Sequence, residues 1–451
     1  MSNVSTLAQF RRASLALLAA AAMTAGAQAQ EAPAVLRVTD ALVAEALAAN
    51  LALDERTANV DQQLAKLDQV RAEYLPQIDL NLRYSEASGG RTIEVPELGL
   101  DFRFLREREQ DSYLRLTQPI YDARLAAEKR GASHLYDASR HGLDAYRLRL
   151  ARDVRQAYYR WLTARASIGV LEATAALAAE NERVNESLYR NGKVTRDFKL
   201  SAEAEHLEIA QQILRARAAM DLGRRYLNLL RNAPLDREPE AVTVSDADLP
   251  GLAMRMPVTR SAALEELAVG RRAELRELDS GIAAAGEAER AARAAFKPQL
   301  AFAVDAGTQG EEWDYSVEDS YVLASFIVRF NIFNGGGDRA AIRQARAQGT
   351  ELAAGRALAE QQIRIEVQEA ITDLEVAEAS LETARRRVEA AEAAHAIVAK
   401  KRDLGQVSPA EYLDAQRALT EARLNGNVTR FETLGALAQV EYAIGGVEQT
   451  P

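Results

Sequence analysis

Residues 321–337 limit most strongly what this chain can fold into. From residue 322 to residue 332 every second side chain is apolar, in the order Val, Ala, Phe, Val, Phe and Ile. The residues between them include Ser325, Arg329 and Asn331. This alternation predicts a strand of about eleven residues with one apolar and one polar face. Roughly 9–11 residues is the length of a tilted membrane-spanning strand, whose backbone groups must all find partners in lipid.

The N-terminal residues are typical of a secretory signal peptide. Arg11 and Arg12 precede an apolar run at residues 15–23, and an Ala-Gln-Ala sequence follows at residues 27–29. We therefore expect residues 1–29 to be removed, because the apolar run is too short to span a membrane. No other stretch approaches about 18 consecutive apolar residues. If the mature chain is a membrane protein, it is expected to form a barrel.

Composition argues against several classes of function. The net charge of −10 over 451 residues is unsuited to a nucleic-acid partner, which needs a basic face. Cysteine is absent, which removes disulfides, thiolate metal sites, cysteine nucleophiles and an N-terminal lipidated cysteine. The four histidines are too scattered to suggest a metal site, and we expect neither metal nor cofactor. No catalytic constellation stands in a convincing context, so an enzyme is the least expected class.

The two halves of the chain repeat one pattern, which decides the fold class. The sequence Leu-Pro-Gln-Ile at residues 75–78 recurs 222 residues later as Lys-Pro-Gln-Leu at residues 297–300. The segment at residues 119–123 recurs 212 residues later at residues 331–335. The difference of ten residues falls in the loop between two strands, where changes of length are tolerated.

Each half predicts a helix, two strands and a long helical hairpin. In the first half we expect a helix over residues 38–74, a strand over 78–84, an exposed loop over 85–111 and a weaker strand over 114–119. Long helices are predicted over residues 124–189 and 338–404, each about 100 Å long. Both contain apolar residues at steps of four and three, which is a heptad pattern. The matched positions are Leu150, Val154, Ala157, Trp161, Ala164, Ile168 and Leu171 in one half and Ile363, Val367, Ala370, Leu374, Ala377, Leu381 and Ala384 in the other.

This pattern divides the chain into a signal peptide (1–29), a first repeat (30–231), a proline-rich connector (232–259) and a second repeat (260–451). Four strands in one chain cannot close a barrel, and lipid does not tolerate open strand edges. Two chains would give eight strands, whose bore side chains fill, and three would give twelve, which is wide enough for a channel. We therefore predict a homotrimer, in which symmetry completes the pore.

The order and spacing of these elements resemble the TolC family of outer-membrane efflux proteins over essentially the whole mature chain. The resemblance also includes Phe-Asn-Gly-Gly at residues 333–336 and Asp-Ala-Gln at residues 414–416. It implies a mainly α protein with a membrane β-barrel, namely a trimeric 12-stranded barrel on a long periplasmic α-helical coiled-coil tunnel. The implied location is the outer membrane of a Gram-negative bacterium. Unlike many relatives, this chain lacks a lipidated N-terminal cysteine.

The resemblance implies a passive exit channel of a tripartite efflux pump or of a type I secretion system. The implied partners are a periplasmic adaptor, an inner-membrane transporter of the efflux or ABC type, and outer-membrane lipid. The hairpin tips would dock the adaptor and form the constriction, and glycine suits such turns because they need positive φ. The tip residues are Gly192, Lys193, Val194, Gly405, Gln406, Val407 and Ser408.

Two acidic residues behind the second tip are candidates for a pore constriction. Glu411 and Asp414 are three residues apart, so they share one face of a helix. The family resemblance implies two acidic rings at these positions, which would favour cations in a narrow bore. The alternative is a solvated charge pair on an acidic helix. The first repeat has Phe198 and Ser201 instead, and Val407 replaces a basic residue of some relatives. The polar links that close those relatives are therefore not expected here in the same form.

Asn334, Gly335 and Gly336 are predicted to form the turn from the barrel into the second long helix. They are not a phosphate loop, since the required Lys-Ser/Thr is missing. Two other classes of function remain open at this point: a periplasmic coiled-coil adaptor and a scaffold protein without a pore. Two hairpins that are each joined to membrane-length strands argue against an adaptor, which usually has one hairpin. The alternating strands argue against a scaffold, which has no use for them. The sequence does not specify the cargo.

Overall fold

The computed structural model describes residues 34–88, 92–95, 100–103, 108–245, 249, 261–311 and 317–446. The predicted signal peptide and part of the connector, including Pro250 and Pro257, lie outside these residues. The helices are α1 (Ala34–Ala49), α2 (Leu51–Ala72), α3 (Ala123–Arg190), α4 (Arg196–Leu230), α5 (Ser261–Arg271), α6 (Ala273–Arg293), α7 (Gly337–Asp403) and α8 (Pro409–Ala443). The strands are β1 (Gln77–Glu86), β2 (Thr92–Val95), β3 (Leu100–Arg103), β4 (Arg108–Tyr121), β5 (Gln299–Gly310) and β6 (Ser320–Arg329).

Four strands form one antiparallel sheet in the order β1-β4-β5-β6, so each repeat contributes two neighbouring strands. The register places Asp79 opposite Arg115, Arg115 opposite Asp305, and Asp305 opposite Leu323. On the face that carries these residues, Arg115 and Asp305 form two hydrogen bonds of 2.7 Å. The sheet therefore has a polar face, and it ends at two edge strands, β1 and β6.

The opposite face of the sheet is apolar and exposed. Leu80 and Leu114 lie directly opposite each other on this face, with Val322 in the same row. Large side chains on it that are more than half exposed include Ile78, Leu80, Leu82, Leu114, Val322, Phe326 and Val328. An apolar face of this size on one side and charged residues on the other is the pattern of a barrel wall between lipid and a water-filled interior.

Two strand predictions were wrong in their bounds. The segment predicted as a loop over residues 85–111 contains the β2–β3 hairpin and the start of β4, which is 14 residues long. Strand β4 lies inside the sheet and forms backbone hydrogen bonds with both β1 and β5. This pairing stabilises the strand even where its side chains show little alternation. In the second repeat the strand stops at Arg329 rather than Ile332, because its partner β5 begins at Gln299.

The helix predicted over residues 38–74 is two helices. Asn50 adopts an extended conformation (φ −69°, ψ 122°), and its side chain accepts a 2.9 Å hydrogen bond from the Leu53 backbone N–H. Asparagine is a favoured N-cap residue, so it begins a new helix at Leu51. The Asn50 amide also donates to the Leu230 carbonyl at 2.6 Å. This contact ties the break between α1 and α2 to the end of α4.

The second repeat has an equivalent contact between its short helices and its hairpin, made by a different residue. Arg272 stands at the N-cap of α6, as Asn50 does for α2, but it makes no side-chain cap hydrogen bond. Its guanidinium donates a 3.4 Å hydrogen bond to the carbonyl of Ala443, and Ala443 is the last residue of α8. Arg272 is buried against the Tyr442 ring at 4.6 Å and pairs with Glu274 at 3.0 Å. The duplicated layout therefore extends to the contacts that join the short helices to the hairpins.

The long helices α3 and α7 contain 68 and 67 residues, so each is about 100 Å long. Helix α3 packs against α1, α2, α4, α6 and α8 and lies at the centre of the helical body. Among the described helices it alone is long and apolar enough, by length and composition, to suit a membrane span. Its heptad residues Leu150, Val154 and Trp161 are fully buried, as Val367 is in α7. The predicted heptad packing is confirmed.

Candidate functional site at the helical tips

Both hairpins turn through the same backbone geometry. Gly192 has φ +67° and Gly405 has φ +71°. The next residue of each turn reaches back to the helix, since the Lys193 N–H donates to the Leu188 carbonyl at 2.9 Å and the Gln406 N–H donates to that of Lys401 at 2.8 Å. Helices commonly end this way, and the left-handed position favours glycine. Gly192 and Gly405 therefore terminate α3 and α7 at equivalent points of the two repeats.

The returning helices begin differently at the two tips. At the second tip the Ser408 hydroxyl accepts a 3.2 Å hydrogen bond from the Glu411 N–H, and Pro409 begins α8. At the first tip Thr195 makes no such cap, and its hydroxyl instead lowers the pKa of the Asp197 carboxyl through a hydrogen bond. Glu411 lies in the first turn of α8, where a negative charge complements the helix dipole. It therefore has a local role in starting the helix.

The tips present an open surface. A Cβ added at Gly192 or Gly405 would meet nothing within 4 Å, and Leu404 beside the second turn is 71% exposed. Of the predicted tip residues, Gly192, Lys193, Gly405, Gln406 and Ser408 are exposed, and Val194 and Val407 are half-buried. This surface is free to contact another protein.

Glu411 and Asp414 both face solvent in the single chain. The Asp414 side chain is 77% exposed, and its nearest cation is the Arg417 guanidinium at 4.0 Å. Glu411 is also exposed and forms no ion pair among the described residues. The two carboxylates lie one helical turn apart on α8, as the sequence spacing predicts. Their part in a constriction stays a prediction.

Sequence reasoning missed an ion pair that joins the two hairpins behind the tips. Glu205 of α4 is 5% exposed, and it accepts a 2.6 Å hydrogen bond from the Arg417 Nε of α8. A buried carboxylate needs such a partner. Arg417 lies one turn beyond Asp414, so the same helix carries both the candidate constriction and the link between hairpins. No sequence signal connects residues 205 and 417, which come from different repeats.

Buried polar side chains accompany this ion pair. Gln416 is 2% exposed, and neither its amide nitrogen nor its amide oxygen has a hydrogen-bond partner among the described residues. On α3, Asn181 and Asn185 are also buried, and the Asn185 amide donates to the Asn181 carbonyl at 2.8 Å. Buried polar groups without partners cost free energy. The unpartnered Gln416 amide is therefore expected to lower the stability of the packing behind the second tip.

Polar side-chain contacts join the two helices of the first hairpin near its tip. Lys199 of α4 contacts Glu186 of α3 at 2.7 Å, and His206 contacts Glu182 at 2.6 Å. Hydrogen bonds from Lys199 and Arg190 lower the pKa of the Glu186 carboxyl. These side chains are partly exposed, so each pair adds little stability by itself.

An aromatic contact closes the second hairpin. His395 of α7 packs against the buried Tyr412 of α8, with ring centroids 5.6 Å apart. The Arg402 guanidinium lies 3.9 Å from the centre of the Tyr412 ring on the same cluster. Burial, with smaller contributions from Arg423 and Arg402, lowers the pKa of His395.

Asn334, Gly335 and Gly336 lie between β6 and α7, where the sequence places the barrel-to-helix turn. Gly335 and Gly336 have φ of +57° and +86°. The Asn334 amide donates to the Asp338 carboxylate at 3.1 Å, and the Asn331 amide donates to it at 2.7 Å. Within the described ranges, no group of histidine and acidic residues has the geometry of a metal site.

Comparison with known proteins decides the family. A family model described as outer membrane efflux protein matches residues 42–230 and 264–446, which are most of both repeats. The chain belongs to the outer membrane efflux protein family. It is therefore an efflux channel of the outer membrane that extends into the periplasm. The channels of this family are passive rather than enzymatic, and the match gives no support to an adaptor or a scaffold.

Solved structures share the fold at low sequence identity. The outer membrane protein VceC of Vibrio cholerae is 18% identical with a TM-score of 0.77, covering 90% of this chain and 96% of that one. The CmeC channel of Campylobacter jejuni is 18% identical with a TM-score of 0.79, covering 92% and 87%. The open MtrE channel of Neisseria gonorrhoeae is 19% identical with a TM-score of 0.74, covering 91% and 89%. Comparison with curated protein sequences gives no significant match. These likenesses confirm the predicted fold class of helical tunnel and barrel.

Proposed function

We propose that this efflux channel is a homotrimer that passively conducts cargo from a periplasmic adaptor and an inner-membrane transporter to the outside. The observation that carries the proposal is the four-stranded sheet with two open edges and an exposed apolar face. Lipid does not tolerate unpaired edges, so other strands must cover them. Because the four strands alternate in direction, β6 of one copy is antiparallel to β1 of the next. Three copies give a closed barrel of twelve strands.

The helical body supports the same symmetry. Helix α4 packs mainly on α3, whereas α7 packs on α8, α6 and α5. Helix α4 carries leucines about every seven residues, each 47–69% exposed, namely Leu200, Leu207, Leu214, Leu222 and Leu229. Helix α7 exposes Leu358, Ile365, Val376 and Ile397, each more than half exposed. Heptad leucines pack against another helix. We therefore place α4 of one copy against α7 of the next, which closes the tunnel.

Within this trimer, Glu411 and Asp414 would form two rings of three carboxylates at the periplasmic entrance. Their exposure in the single chain and their separation by one turn support this placement. A narrow bore lined by carboxylates favours cations over anions. The two residues are thus proposed to set the ion selectivity of the closed entrance.

The test is the reversal potential of the purified protein in a planar bilayer under a salt gradient. Wild type is compared with Glu411→Ala/Asp414→Ala, and Glu55→Ala/Asp61→Ala on α2 is a control of equal charge change. We expect a cation-selective pore whose selectivity falls in the tip variant only. Unchanged selectivity in that variant would refute the acidic rings and leave the channel intact. A protein that gives no pore and stays water-soluble would contradict the proposed conduction.

The tips are proposed to dock the adaptor, and the open surface at Gly192, Lys193, Val194, Gly405, Gln406, Val407 and Ser408 supports this. The transporter behind that adaptor would be of the efflux or the ABC type, as in tripartite pumps or type I secretion. We also propose that residues 1–29 are a cleaved signal peptide and that residues 232–259 connect the repeats at 30–231 and 260–451.

A further inference from the structure

The two edge strands of the sheet are each ten residues long, and each pairs with one strand only, so its outer edge is unpaired among the described residues. In the trimer they meet, with β6 of one copy beside β1 of the next. The structure of one copy does not define the register between these two strands, that is, which residues lie opposite each other across the junction. That register fixes the stagger and the tilt of the whole barrel.

We propose that the junction sets Arg329 of one copy directly opposite Asp79 of the partner subunit, as a threefold repeated ion pair on the inner face of the barrel. This inference rests on the proposed trimer. Within one copy, Asp79 is in the same row as Leu323. Arg329 lies six residues beyond Leu323 on β6, so each copy is staggered by six residues relative to the next.

The faces of the strands restrict the stagger to even numbers. Asp79, Arg115, Asp305 and Leu323 share one row, and the Arg115–Asp305 pair identifies their face as the polar one. Side chains alternate along a strand, so Arg329 is on the same face as Leu323. An odd stagger would set polar residues of one copy beside lipid-facing residues of the next.

Strand tilt restricts the stagger further. Strands rise about 3.3 Å per residue and lie about 4.8 Å apart, so in twelve strands a stagger of four residues per copy gives a tilt of about 35° and six gives about 46°. The tilts of about 35° and about 46° lie at the two ends of the usual range of about 35–45°, whereas staggers of two and eight give about 19° and about 54°, which lie about ten degrees or more outside it. Barrel geometry therefore leaves four and six.

The charges of the edge strands favour six. Asp79 and Arg329 form no ion pair with the described residues of their own chain, although Arg115 on the same face does. A stagger of six sets Asp79 opposite Arg329. A stagger of four would instead set Asp79 opposite Ile327 and Arg329 opposite Gln77. Opposite charges directly across an antiparallel pair stabilise it, so the first arrangement is preferred.

The residues after β6 favour six independently. The apolar alternation of this strand continues through Phe330 and Ile332, which are 55% and 87% exposed. A stagger of six brings Phe330 and Asn331 opposite Ile78 and Gln77 of the partner subunit. A stagger of four would leave them beyond the end of that strand. The junction thus explains why the sequence pattern is longer than the strand formed within one copy.

Disulfide cross-linking between copies can determine this register. The native chain contains no cysteine, so only the introduced cysteines can form disulfides. Val328→Cys is combined in turn with Ile78→Cys, Leu80→Cys and Leu82→Cys, and the full-length protein is oxidised and separated without reductant. Residues directly opposite are about 5 Å apart and diagonal ones about 7–8 Å, near or beyond the Cα limit of about 7 Å for a disulfide. We expect cross-linked dimers and trimers mainly from the pair that contains Leu80→Cys. Stronger linking by Ile78→Cys means a stagger of four, and stronger linking by Leu82→Cys means eight; either would overturn the proposal.

Charge exchange tests the ion pair itself. Asp79→Arg and Arg329→Asp should each lower the temperature at which the trimer dissociates, and the double variant should recover most of the loss. A double variant no more stable than the single ones would refute the pair. The mass of the protein in detergent distinguishes failure of the proposed register from failure of the proposed trimer. A trimer that cross-links through none of the three pairs overturns the register alone, whereas a monomer overturns the trimeric barrel.

Discussion

His395 shows how one side chain can make the second hairpin sensitive to pH. It packs on Tyr412 between α7 and α8, and its Nε2 is buried without a hydrogen-bond partner among the described residues. Charged groups around it are Arg402, over the Tyr412 ring, and Arg423, which pairs with Glu392 at 2.8 Å. Burial and these two arginines lower the pKa of His395, so the packed hairpin favours the neutral ring.

The sign of the pH dependence follows from this shift. The unfolded hairpin takes up the proton first, near the ordinary histidine pKa of about 6.5, so the packed form is fully stable above that pH and loses stability as the pH falls. We expect limited proteolysis of α7 and α8 to be faster at about pH 5.5 than at about pH 7.5, on either side of the ordinary histidine pKa. His395→Phe keeps the aromatic contact and should reduce the difference. An equal acid effect in this variant would show that another group is responsible.

At the residue scale the sequence predicts local geometry well and burial poorly. Gly192 and Gly405 are predictable as turns because the left-handed conformation is a property of the residue itself. Glu205 and Gln416 are not predictable as buried groups. Both are polar residues on polar helices, and neighbours in the other repeat cover Glu205, whose partner is Arg417.

At the scale of elements, the long helices are predicted to within one residue. Helix α3 was expected over residues 124–189 and spans Ala123–Arg190. The absence of proline and a sustained heptad pattern make such a helix evident. The sheet is less predictable, because β4 is defined by backbone bonds to two neighbours and β2 and β3 lie in a segment without periodicity. The break between α1 and α2 is also hard to predict, because Asn50 is an N-cap residue inside an otherwise continuous helical pattern.

The hairpin tip gives a prediction at this scale. Because Gln406 is exposed beside Gly405, a partner that docks on the tip should approach it closely. Gln406→Cys in the cysteine-free chain should therefore cross-link to the tip of the adaptor through a short bifunctional reagent. Asp61→Cys on α2 is the matched control, since it is also exposed but far along the chain. Equal cross-linking from both positions, or from neither, would contradict docking through the tip.

At the scale of the whole molecule, the proposed channel depends on closure of the barrel by three copies. The described part of one chain supplies a four-stranded sheet with two open edges, and the outward face of this sheet is too apolar to lie in water. The leucines of α4 and the apolar residues of α7 likewise lack partners within the described part of one chain. The sequence predicts this incompleteness from strand count alone. It does not predict the stagger between copies, because that depends on residues from two chains.

The most direct test is the native mass of the protein extracted from the outer membrane in detergent. We expect one dominant species with the mass of three mature chains, which persists when the detergent is exchanged. Twelve strands and a continuous tunnel follow from that number. A dominant monomer or dimer would rule out the trimeric channel, because four or eight strands cannot form it.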